Sequence, residues 1–176
     1  LNQDNACSKL KKAIILDTSA LIAKYYRLLP RNIFEVYTTE NAVREVIDRE
    51  NREALFEAID LGLITVSNPG LQYVEEARKK AIEVGSIHKL SKTDIEVAAL
   101  AIQLNNMGYT TIVITDDYEL QNLLLYIGIG FKPLRTRGVN TLRVYRAYCP
   151  VCGYTPASPG VETCPLCGAK ITRRQF

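Results

Sequence analysis

The sequence predicts an α/β fold with a mainly parallel central sheet, followed by a much smaller C-terminal unit. Three observations carry that expectation. Two short apolar runs, Ala13-Ile14-Ile15-Leu16 and Thr111-Ile112-Val113-Ile114, read as strands buried on both faces. Strand-like runs alternate with segments of helical apolar spacing through residues 11–132, the pattern of an α/β body. The last thirty residues carry two Cys-x-x-Cys pairs among Pro, Gly and Ser, too little apolar material for a core of their own.

The first strand ends at Asp17, and Thr18–Leu28, with Ala20, Leu21, Ile22 and Ala23, reads as a short helix stopped by Pro30. Val36–Thr38 is a short strand. Glu40–Asp48 and Arg52–Leu61 place Val43, Val46 and Ile47, then Leu55, Phe56 and Ile59, at helical spacing. Leu63–Ser67 is a strand, and Asn68-Pro69-Gly70 a turn. Leu71–Val84 is an amphipathic helix stopped by Gly85. Ser91-Lys92-Thr93-Asp94 has the layout of a capping box, with Asp where Glu or Gln is usual. It introduces a strongly apolar helix, Ile95–Met107, closed by Gly108. The strand Thr110–Thr115, the helix Tyr118–Tyr126 and an edge strand at Gly128–Lys132 complete the body. Residues 133–140 are polar and basic and contain Pro and Gly, so they read as a linker to the unit at 141–176. Residues 1–10, mostly polar and without an initiating Met, are expected to be a loose tail or an expression remnant.

At 176 residues and 47% hydrophobic content, the chain can bury one ordinary core. No apolar stretch approaches the ~20 residues of a membrane span, and no signal-peptide pattern opens the chain. A reduced, cytoplasmic protein is expected, because four of the five Cys are gathered at one end and not spread as a disulfide framework. The net charge of +3 hides an asymmetry: from Phe131 onward eight basic residues face one acid, Glu162, leaving 14 basic and 18 acidic groups before it. A basic appendage on a neutral-to-acidic body suits a polyanionic partner.

Cys149-Pro-Val-Cys152-Gly153 and Cys164-Pro-Leu-Cys167-Gly168, eleven residues apart, form two knuckles whose sulfurs point at one ion, with sulfur–metal distances of ~2.3 Å. Zinc is the expected ion, and a rubredoxin-type iron the alternative. With all four positions filled by protein sulfur, the site is structural. Metal binding supplies the folding energy of this segment, on the order of 10–16 kcal/mol. Bound zinc would lower the charge of the C-terminal segment to about +5.

Asp17, Asp94, Asp116 and Asp117 all fall at strand ends or helix starts, which share one edge of a parallel sheet. Each has a plainer role as well. Asp17, Asp116 and Asp117 suit helix N-caps, Asp94 suits a first helical turn, and Glu45 suits a solvated helix surface. Gathered together, acids at such an edge repel one another unless a divalent cation lies among them. Strand geometry favours Asp116 over Asp117.

The series Leu16-Asp17-Thr18-Ser19-Ala20-Leu21, Glu45, Ser91-x-x-Asp94 and Ile114-Thr115-Asp116-Asp117-Tyr118 resembles the PIN-domain ribonucleases over residues 11 to about 130. With the rubredoxin-like ribbon behind it, the chain resembles the Nob (NIN-one-binding) family of ribosome-maturation endonucleases, in a compact archaeal form. Thr115 to Asn122 matches the family's Asp-aromatic-x-x-Gln-Asn segment, which makes Asp117 the corresponding acid and Asp116 an extra one. The resemblance implies a three-layer PIN-like body and cleavage of precursor small-subunit rRNA near its mature 3′ end, on the pre-small ribosomal subunit. It also implies dependence on Mn²⁺ or Mg²⁺, ions that suit carboxylate oxygens. Asp17, Asp94 and Asp117 or Asp116 would hold the metal, Glu45 would bind it or orient water, and Ser19 and Ser91 would hydrogen-bond phosphate or an acid. His88, the single His, has no expected catalytic role.

RNA contact is expected from Lys132, Arg135, Arg137, Arg143, Arg146, Lys170, Arg173 and Arg174, with Tyr145 and Tyr148 and the neighbouring Phe131, Tyr154 and Phe176 for stacking. The competing readings are a VapC-type toxin ribonuclease acting on tRNA or mRNA, a non-catalytic RNA-binding zinc-ribbon protein, and a rubredoxin-like electron carrier. Toxins of the VapC kind usually lack a ribbon and work with an antitoxin.

Overall fold

The computed structural model describes residues 11–157 and 160–175. The expected tail at 1–10, with Cys7, and Phe176 lie outside the described residues.

Five parallel strands form the central sheet: β1 (Lys12–Leu16), β2 (Phe34–Thr38), β3 (Thr65–Val66), β4 (Thr110–Ile114) and β5 (Gly130–Lys132), in the order β3-β2-β1-β4-β5. β1 lies in the middle, with Ile14 opposite Val36 of β2 and Ile112 of β4. Its alternation sends Ala13 and Ile15 to one face and Ile14 and Leu16 to the other, and all four are buried. Helices cover both faces, giving three layers. On one face lie α4 (Leu71–Val84), α5 (Lys92–Asn106) and α6 (Tyr118–Ile127), packed through Ala77, Ala81, Ala98, Leu100, Leu120 and Leu124. On the other lie α1 (Thr18–Ile22), α2 (Glu40–Glu45) and α3 (Arg49–Asp60), around Leu21, Val46, Leu55 and Ala58.

The chain leaves β1 toward β2 on one side and later returns to β4 on the other. The crevice beyond the carboxyl ends of β1 and β4 is therefore the topological switch point, where open α/β sheets bind ligands. Asp17 follows β1, and Thr115, Asp116 and Asp117 follow β4.

Several boundaries differ from the sequence expectation, three of them by enough to matter. The helix after Asp17 stops at Ile22, because Lys24 turns left-handed (φ 52°) before a 3-10 turn at Tyr25–Leu28. The helix at Glu40 stops at Glu45, and Asp48, expected near its end, caps the next one by accepting a hydrogen bond from the Asn51 N–H at 2.9 Å. The expected strand Leu63–Ser67 pairs only at Thr65 and Val66, the sheet's edge.

The C-terminal unit is a small hairpin, β6 (Tyr145–Tyr148) antiparallel to β7 (Thr172–Gln175), carrying the cysteine knuckles. No helix among the described residues is long and apolar enough to cross a membrane.

Candidate functional site

Asp17 is the buried centre of the acidic edge. It caps α1, with Oδ1 accepting from the Thr18 N–H at 2.7 Å and Oδ2 accepting from the Thr115 hydroxyl at 2.8 Å. The Ser19 hydroxyl lies 3.4 Å from Oδ2 and accepts from the Asp116 N–H at 3.3 Å. Burial pushes the Asp17 carboxyl up from 3.8 to about 6, against the pull of Thr115 and Thr18, and the charges of Asp94 and Asp117 push the same way. Asp94 is raised too, first by burial and then by Asp117 and Glu45, although the Ser91 side chain and backbone oppose this. Four acids drawn from four segments therefore share one negative field.

Each acid is held by its own element. Asp94 and Ser91 form the reciprocal capping box of α5: the Ser91 N–H donates to Asp94 Oδ2 at 2.7 Å and the Asp94 N–H to Ser91 Oγ at 3.1 Å. Asp117 caps α6, its Oδ1 accepting from the Glu119 and Leu120 N–H groups at 2.7 and 2.8 Å. Its Oδ2 has no hydrogen bond among the described residues. Glu45, at the end of α2, is gripped at both oxygens. The Thr18 hydroxyl donates to Oε2 at 2.7 Å and the Thr93 hydroxyl to Oε1. Both threonines immediately precede or follow an acid of the site, so Glu45 is tied to the roots of Asp17 and Asp94.

Asp116 is turned elsewhere. Its Oδ1 accepts from the N–H groups of Leu134, Arg135 and Thr136 at 2.8, 3.0 and 3.4 Å, and Oδ2 is 3.8 Å from Arg135 Nε. Desolvation raises its carboxyl, but those donors together with the Arg135 charge outweigh it and leave the group below its ordinary value. Strand geometry alone pointed to Asp116, whereas in the structure it is Asp117 whose charge acts on Asp17 and Asp94, and Asp116 is bonded to the backbone of 134–136.

No three of these carboxylates bring an oxygen each within 4.8 Å of one another; among the described residues only Cys149, Cys152, Cys164 and Cys167 meet that test with their ligand atoms. Asp17, Asp94, Asp117 and Glu45 are near enough to act on one another's charge without three of their carboxylates converging on one point. The cysteines form the closed kind of centre. Cys149 and Cys167 sulfurs are 3.4 Å apart and Cys152 and Cys164 sulfurs 3.5 Å, near the edge of about 3.8 Å that a tetrahedron with ~2.3 Å zinc–sulfur bonds requires. The knuckles repeat one geometry. Gly153 N–H donates to the Cys149 carbonyl and Gly168 N–H to that of Cys164, at 3.0 and 2.9 Å, with φ values of 75° and 73°. The Cys152 and Val151 N–H groups draw the Cys149 thiol down to about 6, whereas bonding among the sulfurs pushes Cys152 and Cys167 up against the Tyr154 and Ala169 N–H groups, Cys167 to about 12.

A family model described as the PIN domain of ribonuclease matches residues 14–104, which include Asp17, Glu45 and Asp94. The chain belongs to the PIN-domain ribonucleases. Endoribonuclease Nob1 of Pyrococcus abyssi is 34% identical over 171 residues, covering 94% of this chain and 98% of its own. Endoribonuclease Nob1 of Methanothermobacter thermautotrophicus is 33% identical over 162 residues, 92% of each chain. Ribonuclease VapC3 of Aeropyrum pernix is 38% identical over 128 residues, 73% of this chain and 90% of its own. This PIN-domain protein is accordingly a homologue of the Nob1 endoribonucleases with a four-cysteine cluster behind the body.

The basic residues of this PIN-domain ribonuclease are distributed around the appendage. Arg146 and Arg174 are register partners, as are Tyr148 and Thr172, on the β6–β7 ladder. Lys132 lies against Tyr25, 3.1 Å from its hydroxyl, and Arg135, Arg137 and Arg143 are exposed along 133–143. A groove of about 680 Å³ runs between the end of α4 and the hairpin, lined by His88, Tyr145, Arg146, Lys170 and Arg173 on its basic side and by Glu83 and Glu162. His88 belongs to this groove and not to the acidic crevice.

Sequence reasoning missed three hydroxyls, Thr18, Thr93 and Thr115. Their signal was available: each sits beside an acid, and a polar residue closing an apolar strand, as Thr115 does, needs a partner when buried.

Proposed function

We propose that this protein is a cytoplasmic, divalent-metal-dependent endoribonuclease that cuts precursor small-subunit rRNA near its mature 3′ end, on the pre-small ribosomal subunit. The observation that carries the reading is the gathering of Asp17, Asp94, Asp117 and Glu45 at the switch point of the sheet, with burial and mutual repulsion raising Asp17 and Asp94. Asp17, Asp94 and Asp117 would hold Mn²⁺ or Mg²⁺, and Asp116 serves the neighbouring loop, as its three backbone donors indicate. Such an ion supplies an activated water and neutralises charge on the scissile phosphate. Glu45, held by two hydroxyls, orients that water. Ser19 and Thr115 keep Asp17 in its rotamer, and Ser91 does the same for Asp94.

The nuclease body spans 11–132, a connecting strap 133–140 and a zinc ribbon 141–176. Zinc is supported by the four-sulfur donor set and its near-tetrahedral spacing. Lys132, Arg135, Arg137, Arg143, Arg146, Lys170, Arg173 and Arg174 contact phosphates, and Tyr145 and Tyr148 stack on unpaired bases. The precursor-rRNA substrate is supported by the Nob1 alignments, which at 92 and 94% of the chain extend into the cysteine segment.

The VapC3 similarity favours a second reading, a ribonuclease of tRNA or mRNA. One experiment separates them. The protein is incubated with a fragment spanning the 3′ end of the small-subunit rRNA, with tRNA and with mRNA, in Mn²⁺ or chelator, and product ends are mapped. Metal-dependent cleavage of the rRNA fragment at one site, with the other RNAs intact, is expected. Preferential tRNA or mRNA cleavage establishes the second reading, and cleavage that persists in chelator removes both.

A further inference from the structure

The segment that presents Asp117 also grips the chain leading to the cysteine hairpin. Asn122, on α6 and 3% exposed, makes a two-pronged bond to one backbone position: the Arg143 N–H donates to Oδ1 and Nδ2 donates to the Arg143 carbonyl, both at 2.8 Å. Gln121, fully buried, donates to the Thr115 carbonyl at 2.8 Å and accepts from the Val139 N–H at 2.9 Å. Asp116 takes three N–H groups of 134–136. On the far side, Gly85 at the end of α4 (φ +79°) lies so close under the hairpin that a Cβ there would overlap the Tyr145 carbonyl, and Lys89 sits 5.1 Å above the Tyr145 ring.

The strap 133–140 would need none of this merely to connect two units. A flexible linker lets a tethered module sample a range of distances; here two buried amides and a carboxylate remove that freedom. We propose that Asn122 is a positioning residue that sets cleavage register: with Gly85 it fixes the basic hairpin at one distance from the acids, so that RNA held on the hairpin offers a single phosphate to the crevice. The inference rests on the proposed nuclease function. Neither Asn122 nor Gly85 touches an acid of the site, so the hydrolytic step itself does not depend on them.

The test uses the full-length zinc-loaded protein, Asn122→Ala and, as a variant that acts from the opposite side, Gly85→Ala. Two readouts are taken. The first is the distribution of product ends on the long precursor fragment, against the rate on a short unstructured RNA. The second, independent of cleavage, is the width of the distance distribution between spin labels on α3 and on β7. In Asn122→Ala the short RNA is cut within about twofold of the unaltered rate, because the Asn122 amide bonds Arg143 and none of the acids. The main product's share on the long RNA falls about threefold or more, as a loss of alignment of this order implies, and the label distances broaden. Gly85→Ala, which pushes the hairpin outward, displaces the main cut. An unchanged main product together with an unbroadened label distance overturns the proposal. Equal loss on short and long RNA overturns it too, by making Asn122 a support of the acids. If the unaltered protein cuts no RNA, the nuclease reading fails, and the label distances alone decide whether Asn122 holds the hairpin.

Discussion

Asp17 carries an unusual burden, being 6% exposed and acidic in the same place. Its carboxyl titrates near 3.8 when unfolded and about 6 when folded. Between those values the native state binds a proton the unfolded state has lost, so stability falls as pH rises from about 4 to about 6 and stays lower above that. The shift corresponds to at most about 3 kcal/mol. In chelator, Asp17→Asn is expected to flatten this part of the stability–pH profile and to raise the melting temperature at pH 7–8, at about 2–4 °C per kcal/mol. The same variant loses the stabilisation by Mn²⁺ and falls to background cleavage. Thermal melts at several pH values, with and without Mn²⁺, check both; a metal-induced shift as large as that of the unaltered protein would reject the assignment. Asp116 and Asp117 separate by the same logic. Asp117→Asn lowers turnover about a hundredfold or more, the scale of removing one electrostatic contributor, and Asp116→Asn leaves the metal response intact, measured by single-turnover cleavage.

Among the elements, α4, α5 and the loop behind β4 show how much of the fold and the site was legible. The helix Leu71–Val84 was read to the residue, because Asn68-Pro69-Gly70 and Gly85 bracket it. The Ser91–Asp94 capping box was legible because it is local, needing only four consecutive residues. The place of Thr93 beside Asp94 was visible in the sequence, but its partner was not, since Glu45 lies 48 residues away and no spacing rule links them. The engagement of Asp116 by the loop 134–136 was equally out of reach, because that loop's approach depends on the closed sheet. Thr93→Val keeps the shape and removes the donor to Glu45. It should lower kcat about tenfold with little change in KM, the sign of a group that acts through orientation. The α4–α5 contact is built on alanines, with Ala77, Ala81, Ala98 and Ala101 all fully buried. Ala81→Leu should cost about 1–3 kcal/mol by overpacking, read from a denaturant midpoint at unchanged slope.

At the scale of the molecule, the acids sit in a body of net negative charge and the basic groups in the appendage, an asymmetry plain in the sequence. RNA affinity should therefore fall steeply with salt. Removing residues 141–176 should flatten that dependence while leaving the Mn²⁺-induced stabilisation of the body, as filter binding and melting curves would show. Stripping the metal from the four thiolates should unfold the hairpin and spare the body's transition, because the hairpin has little apolar burial of its own and the metal supplies its folding energy.

The central pairing of β1 with β4, Lys12 opposite Thr110, joins segments made nearly a hundred residues apart. During synthesis, β1 can pair β2 early but lacks its second neighbour until β4 has left the ribosome, and non-local strand pairing is slow to form. Asp17 and Asp117 consequently remain strangers for most of the chain's manufacture. If the proposed acids cut, a nascent molecule carries no assembled cutting edge beside the ribosomal RNA that surrounds it, and the capacity to cleave arrives only once the body is almost fully made.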